Sequence, residues 1–217
     1  MVMIVAILAI VVGGGYWLVS SVTVQRTPVA GELTVAGDYM LPTLKPGDVV
    51  VPARISESGL RRGMIVIFRT PGSGEVGMFR IAGLPGDKIS IQRGIVSING
   101  EESPRRGTGT EKNAAGGDRY LMAERFPGED GAHRVVEGGF VPDTAPATVA
   151  TGRVYLLADN RDSQTDSRAT ALARQGIVRP QTIRIVDIVG RIDTVVASAD
   201  GSRVGQPLDL PAAAATQ

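Results

Sequence analysis

At 217 residues, 43% of them hydrophobic, the chain is long enough for one well-filled core, or for one domain carrying a smaller insertion. Its 23 basic and 22 acidic residues leave a net charge of +1 and are scattered, without the basic stripe that phosphate contacts require, so nucleic acid is not an expected partner. The absence of cysteine removes disulfides, thiolate chemistry and cysteine-built zinc sites, and no cofactor or metal is implied.

Residues 1–22, MVMIVAILAIVVGGGYWLVSSV, carry no charged side chain and have the length of a helix that spans the roughly 30 Å hydrocarbon layer. One transmembrane anchor is the expectation. Tyr16 and Trp17 suit the headgroup level, and Gly13, Gly14 and Gly15 are tolerated in lipid. The rival reading is a cleaved leader, because the apolar run 2–12 has the length of a signal-peptide core. No basic residue precedes the run and the nearest is Arg26, so charge does not set an orientation.

Beyond residue 23 the pattern is strand, at 48–51, 64–69, 77–82, 88–92, 95–98, 154–158 and 183–196. KISIQRGIVSING alternates apolar and polar residues on both sides of Arg93 and Gly94 and ends on the turn pair Asn99 and Gly100, which predicts an antiparallel hairpin. Only RATALARQG, 168–176, reads as a helix outside the anchor. From 101 to 151 the sequence becomes charged and rich in glycine and proline, with a strand pair expected at RYLMAERF and HRVVEGGFV. The single histidine, His133, is expected at the surface. The expected organisation is an anchor at 1–22, a β core from 23–100 and 152–200, an insertion at 101–151 and a flexible tail at 201–217.

Three segments carry a resemblance: YMLPTLKPGDVVV at 39–51, MIVIFRTPGSGEVGMFRIAGLPGDKISIQRGIVSINGE at 64–101, and ADNRDSQTDSR at 158–168. Together, in this order and behind an anchor, they resemble the type I signal peptidase family. The resemblance implies a mostly β fold: an antiparallel sheet core of the signal peptidase I type, an inserted smaller β region and one N-terminal transmembrane helix. It implies a bacterial cytoplasmic-membrane protein of single-pass topology, its main domain on the outer side and in contact with lipid. It further implies a serine hydroxyl activated by a desolvated lysine, and signal peptides of exported preproteins bound as an added strand that presents small residues to shallow pockets.

Carried over one residue at a time, the family's nucleophile falls on Tyr39, its general base on Phe79, a serine supporting that base on Gln164, and an oxyanion-donor serine on Gly37. The glycine that opens the third motif is Ala158. Peptide contact is implied for Met40, Leu41, Pro42, Arg80 and Ile81. The matching positions, Gly83, Pro85, Gly86, Asp87, Asp159, Asn160, Arg161, Asp162, Asp166, Ser167 and Arg168, are structural, with turn formers in the second motif and ion pairs in the third.

None of the three lysines, Lys45, Lys88 and Lys112, stands at the base position, and Arg80 keeps its proton in a protein. A phenol at Tyr39 would need a base that Phe79 cannot supply. The favoured reading is a non-catalytic family member, its two rings packed together, binding signal peptides, a membrane partner or an active peptidase. The alternatives are a processing peptidase with an altered site, and a structural domain without a peptide ligand.

Overall fold

A computed structural model describes residues 31–70, 74–139, 141, 143–163, 166, 168 and 182–216. The expected anchor at 1–22, Gln164, Ser167 and most of the expected helix at 168–176 lie outside the described residues. Among the described residues no helix is long and apolar enough to cross a membrane.

The fold is antiparallel β. Its main sheet joins β3 (Ile65–Arg69), β4 (Val76–Gly83), β12 (Arg153–Leu157), β13 (Ile183–Arg184) and β14 (Ile188–Ile192) in the order β13-β12-β4-β3-β14. Three smaller sheets surround it. One joins β1 (Leu33–Thr34), β2 (Val49–Val50) and β15 (Val195–Ala197). The second orders β5 (Lys88–Gln92), β6 (Ile95–Ile98), β7 (Glu101–Glu102) and β11 (Thr144–Thr148) as β11-β5-β6-β7, and the third orders β8 (Arg105–Lys112), β9 (Asp118–Glu124) and β10 (His133–Glu137) as β10-β9-β8.

Sequence explains the central strands. β3 reads IVIFR and buries four consecutive residues, as a strand covered on both faces must. β12 and β4 form a wall between two cores: Val154, Leu156 and Ile81 face one, while Tyr155, Leu157 and Ala82 face the other. The expected hairpin is β5–β6, closed by Arg93 and Gly94 at φ 51° and 77°, the geometry of a two-residue primed turn. Its alternating isoleucines share the second core with Phe126, Val141 and Val149 of the 101–151 region, rather than with the main core.

The stretch 183–196 is not one strand. β13 pairs with β12 and β14 pairs with β3, at opposite edges of the same sheet, and a 3-10 turn at Ile185–Asp187 makes the break. One straight strand cannot lie at both edges. The strand pair expected in the insertion is β9–β10, and β8 adds to it with a largely exposed RRGTGTEK. The segment after 201 runs back over the molecule: Leu210 and Ala132 exchange backbone hydrogen bonds at 2.9 and 2.6 Å, and Leu208 is buried.

His133 is fully buried, contrary to the surface position expected for it. Its Nδ1 lies 3.0 Å from Glu129 Oε1, its Nε2 lies 3.1 Å from Glu124 Oε2, and its ring packs 4.5 Å from Phe126. Burial alone would lower the imidazole pKa. The Glu129 charge and the hydrogen bonds the ring donates to both carboxylates outweigh burial and the opposing charge of Arg80, so the pKa is raised above the ordinary 6.5. A raised folded-state pKa contributes stability that is full below 6.5 and is lost as pH rises through the folded value. The urea midpoint of the native chain is therefore expected to fall, relative to His133→Gln, between slightly acidic and alkaline pH. A constant difference between the two proteins across that range would contradict this.

Candidate functional site

The segment 37–44 is a compact turn, with Leu41 N–H donating to Asp38 O at 3.0 Å and Leu44 N–H to Met40 O at 2.8 Å. The third motif holds it from outside. Asn160 donates its backbone N–H to Tyr39 O and its side-chain amide to Asp38 O, both at 3.1 Å, and Thr43 Oγ1 donates to Asp159 Oδ2 at 2.5 Å. Asp159 in turn accepts both Arg80 Nε and Nη2, at 2.8 and 2.7 Å. The first, second and third motifs thus meet at one buried point.

The acidic residues of the third motif go to separate partners. Asp162 accepts the N–H groups of Gly138 and Gly139, each at 2.9 Å. Asp166 accepts Ala158 N–H at 2.8 Å and pairs with Arg168, while Arg161 pairs with the buried Glu124. In the second motif, Asp87 closes its own turn by accepting Leu84 N–H at 2.7 Å and also binds Arg62 and Asn99. Gly86 sits there at φ 90°, which only glycine adopts without strain, so GLPGD is a structural turn. Among the described residues no group of three His, Cys, Asp or Glu is arranged to hold a metal ion.

Beside the turn lies a cleft of about 560 Å³ whose apolar walls are built by Tyr39, Phe68, Val76, Phe79, Leu156 and Ile183. Its back is aromatic: the Tyr39 and Phe79 centroids are 5.4 Å apart, edge to face, and Phe79 stacks on Phe68 at 5.8 Å. Phe79 is buried and Tyr39 half-buried, and burial raises the Tyr39 phenol pKa above its ordinary 10.0. Ionisation of that hydroxyl is correspondingly disfavoured. Phe68 completes the wall; it lies within the second segment and in the apolar run of β3, but is not among the expected site residues.

A family model described as signal peptidase, peptidase S26, matches residues 2–197. The chain belongs to this family. It is 27% identical over 183 residues to signal peptidase I of Bacillus caldolyticus, covering 82% of this chain and 86% of that protein. It is 28% identical over 143 residues to signal peptidase IB of Staphylococcus aureus, covering 64% of this chain and 68% of that one.

Within this signal peptidase framework, the residues expected to touch a peptide separate into two groups. Met40, Arg80 and Ile81 are fully buried, so their side chains are core and framework, not cleft surface. Leu41 and Pro42 are half-buried at the turn. Gly37 contacts Tyr39 directly: a Cβ at Gly37 would lie 2.6 Å from Tyr39 Cε1. Gly37→Ser is therefore expected to cost about 1–3 kcal/mol by overpacking, measured by urea unfolding. The cost should largely vanish in a Tyr39→Ser background, because the two positions are coupled. Additive costs would refute the contact.

Proposed function

We propose that this signal peptidase family member binds signal peptides of exported preproteins at the bacterial cytoplasmic membrane without hydrolysing them, its apolar 1–22 segment serving as anchor and its β domain lying on the outer side. The observation that supports it is the contact between Tyr39 and Phe79, two rings in the places where the motifs put a serine nucleophile and a lysine base. A phenol whose ionisation is suppressed by burial, facing a hydrocarbon ring, has no means to attack a peptide carbonyl. The three lysines of the chain are all exposed, and an exposed ammonium is not desolvated enough to act as a base near neutral pH.

Peptide binding is supported by the state of β4. Its register with β3 runs from Val76 to Arg80, whereas its register with β12 runs only from Arg80 to Gly83. Among the described residues no strand covers the second edge of 76–79, and that edge forms one side of the aromatic cleft. An extended peptide can add there by backbone hydrogen bonds and place alternate side chains into the cleft.

The full chain, purified in detergent and incubated with a preprotein that carries a photo-reactive group in its signal peptide, should cross-link and leave the preprotein intact. Cleavage at the signal-peptide junction by the native chain would overturn the non-catalytic reading. Absence of cross-linking to the cleft would overturn the binding reading.

A further inference from the structure

The shape of the cleft says which side chains a bound peptide would offer it. The Phe68 ring packs on Gly77, where a Cβ would come within 2.4 Å of Phe68 Cζ, and one edge of the Tyr39 ring packs on Gly37, where a Cβ would come within 2.6 Å of Tyr39 Cε1. Each ring is drawn back onto a glycine backbone, and the two are linked through Phe79. The rings therefore line the cleft and leave about 560 Å³ between its walls, within the range of pockets that enclose sizeable apolar ligands. A methyl group entering this space would leave most of it to water held against aromatic faces, an arrangement that gains little from burial. A leucine or phenylalanine side chain would displace that water and meet the rings at their faces and edges.

We propose that this cleft selects an extended peptide segment carrying a bulky apolar side chain, of leucine or phenylalanine size, in place of the methyl-sized side chains expected of the family. The selection rests on the peptide-binding reading above and deepens it. The geometry behind it is the glycine beneath each outer ring, Gly37 under Tyr39 and Gly77 under Phe68.

The test uses the full chain in detergent and a series of short fluorescein-labelled peptides, identical except for one guest residue: Ala, Leu or Phe. Fluorescence anisotropy reads the affinities. Leu and Phe should bind at least about tenfold more tightly than Ala, since each buried methylene is worth about fourfold. Ala36→Trp, a change at an exposed residue of the cleft wall, should abolish the preference for the bulky guests by filling the space. Equal binding of Ala and Leu, or the same preference in Ala36→Trp as in the native chain, would overturn this selection while leaving peptide binding in place. Failure of every peptide to bind would overturn the peptide-binding reading itself, and the selection with it.

Discussion

Asp159→Ala is expected to destabilise the domain by about 3–5 kcal/mol, the cost of leaving one member of a buried ion pair alone. Against a total stability of about 5–15 kcal/mol, that change leaves a chain close to its unfolding threshold. The side chains of Arg80 and Asp159 are 0% and 1% exposed. Burial alone would lower the Arg80 pKa; the Asp159 charge and hydrogen bonds, helped by Asp209, more than reverse this and raise it above its ordinary value. Without Asp159 the hydrogen bonds left to the cation among the described residues are those to Gly63 O at 2.5 Å and Asp209 Oδ1 at 2.9 Å, with the charge of Glu129 as further support. Asp209 is 57% exposed, so its own removal should cost no more than about 1 kcal/mol. Arg80→Met with Asp159→Leu should cost less than Asp159→Ala, because no charge is then left buried. Urea denaturation of the three variants gives this ranking directly, and an Asp159→Ala protein as stable as the native chain would refute it. Loss of Asp159 also removes the Thr43 anchor, so the turn bearing Tyr39 should become more accessible to proteases.

What sequence disclosed about this fold follows from which interactions are local. The β5–β6 hairpin was readable because its turn chemistry and its alternating isoleucines lie within a single short segment, and the same holds for β9 and β10. β8 was not readable. RRGTGTEK lies outside both cores, so no apolar alternation marks it, and it is a strand because β9 offers it an edge. The break in 183–196 follows from the order of the sheet, which places β13 and β14 at opposite edges. His133 sits in a glycine-rich polar stretch, and only the folded chain brings Glu124 and Glu129 to its two nitrogens.

The site divides along the same line. The expected contact between Tyr39 and Phe79 is present, since both positions were fixed by short motifs. The burial of Arg80 and Ile81 was hidden, because it depends on strands on both sides of β4 and on Asp209 far along the chain. Gly37 and Tyr39 illustrate a third case, in which two departures from one motif are a single packing solution: the ring occupies the space that a side chain at 37 would need.

Restoring serine at Tyr39 and lysine at Phe79 together is expected to confer slow cleavage of a preprotein at its signal-peptide junction, while either change alone leaves the chain inert. The two rings already touch, so a hydroxyl and an amine on the same backbone positions are within reach of each other. Phe79 is buried against Phe68, and a lysine introduced there would be desolvated, with its pKa lowered by up to about 3–5 units toward the range of a general base. A positioned base contributes about 10²–10⁴ in rate, so the double variant should exceed each single by at least about a hundredfold. Removing the Tyr39 ring also frees the space at Gly37. Adding Gly37→Ser in that background should raise the rate by a further factor of about 10²–10³ if its hydroxyl reaches the developing oxyanion. Lost aromatic packing is expected to cost about 3–5 kcal/mol, so folding must be checked by circular dichroism before rates are compared. Mass spectrometry of the products locates the cut. Cleavage by the native chain at the rate of the double variant would mean that the rings do not silence this site, and a folded but inert double variant would mean that the two rings alone do not account for the proposed lack of hydrolysis.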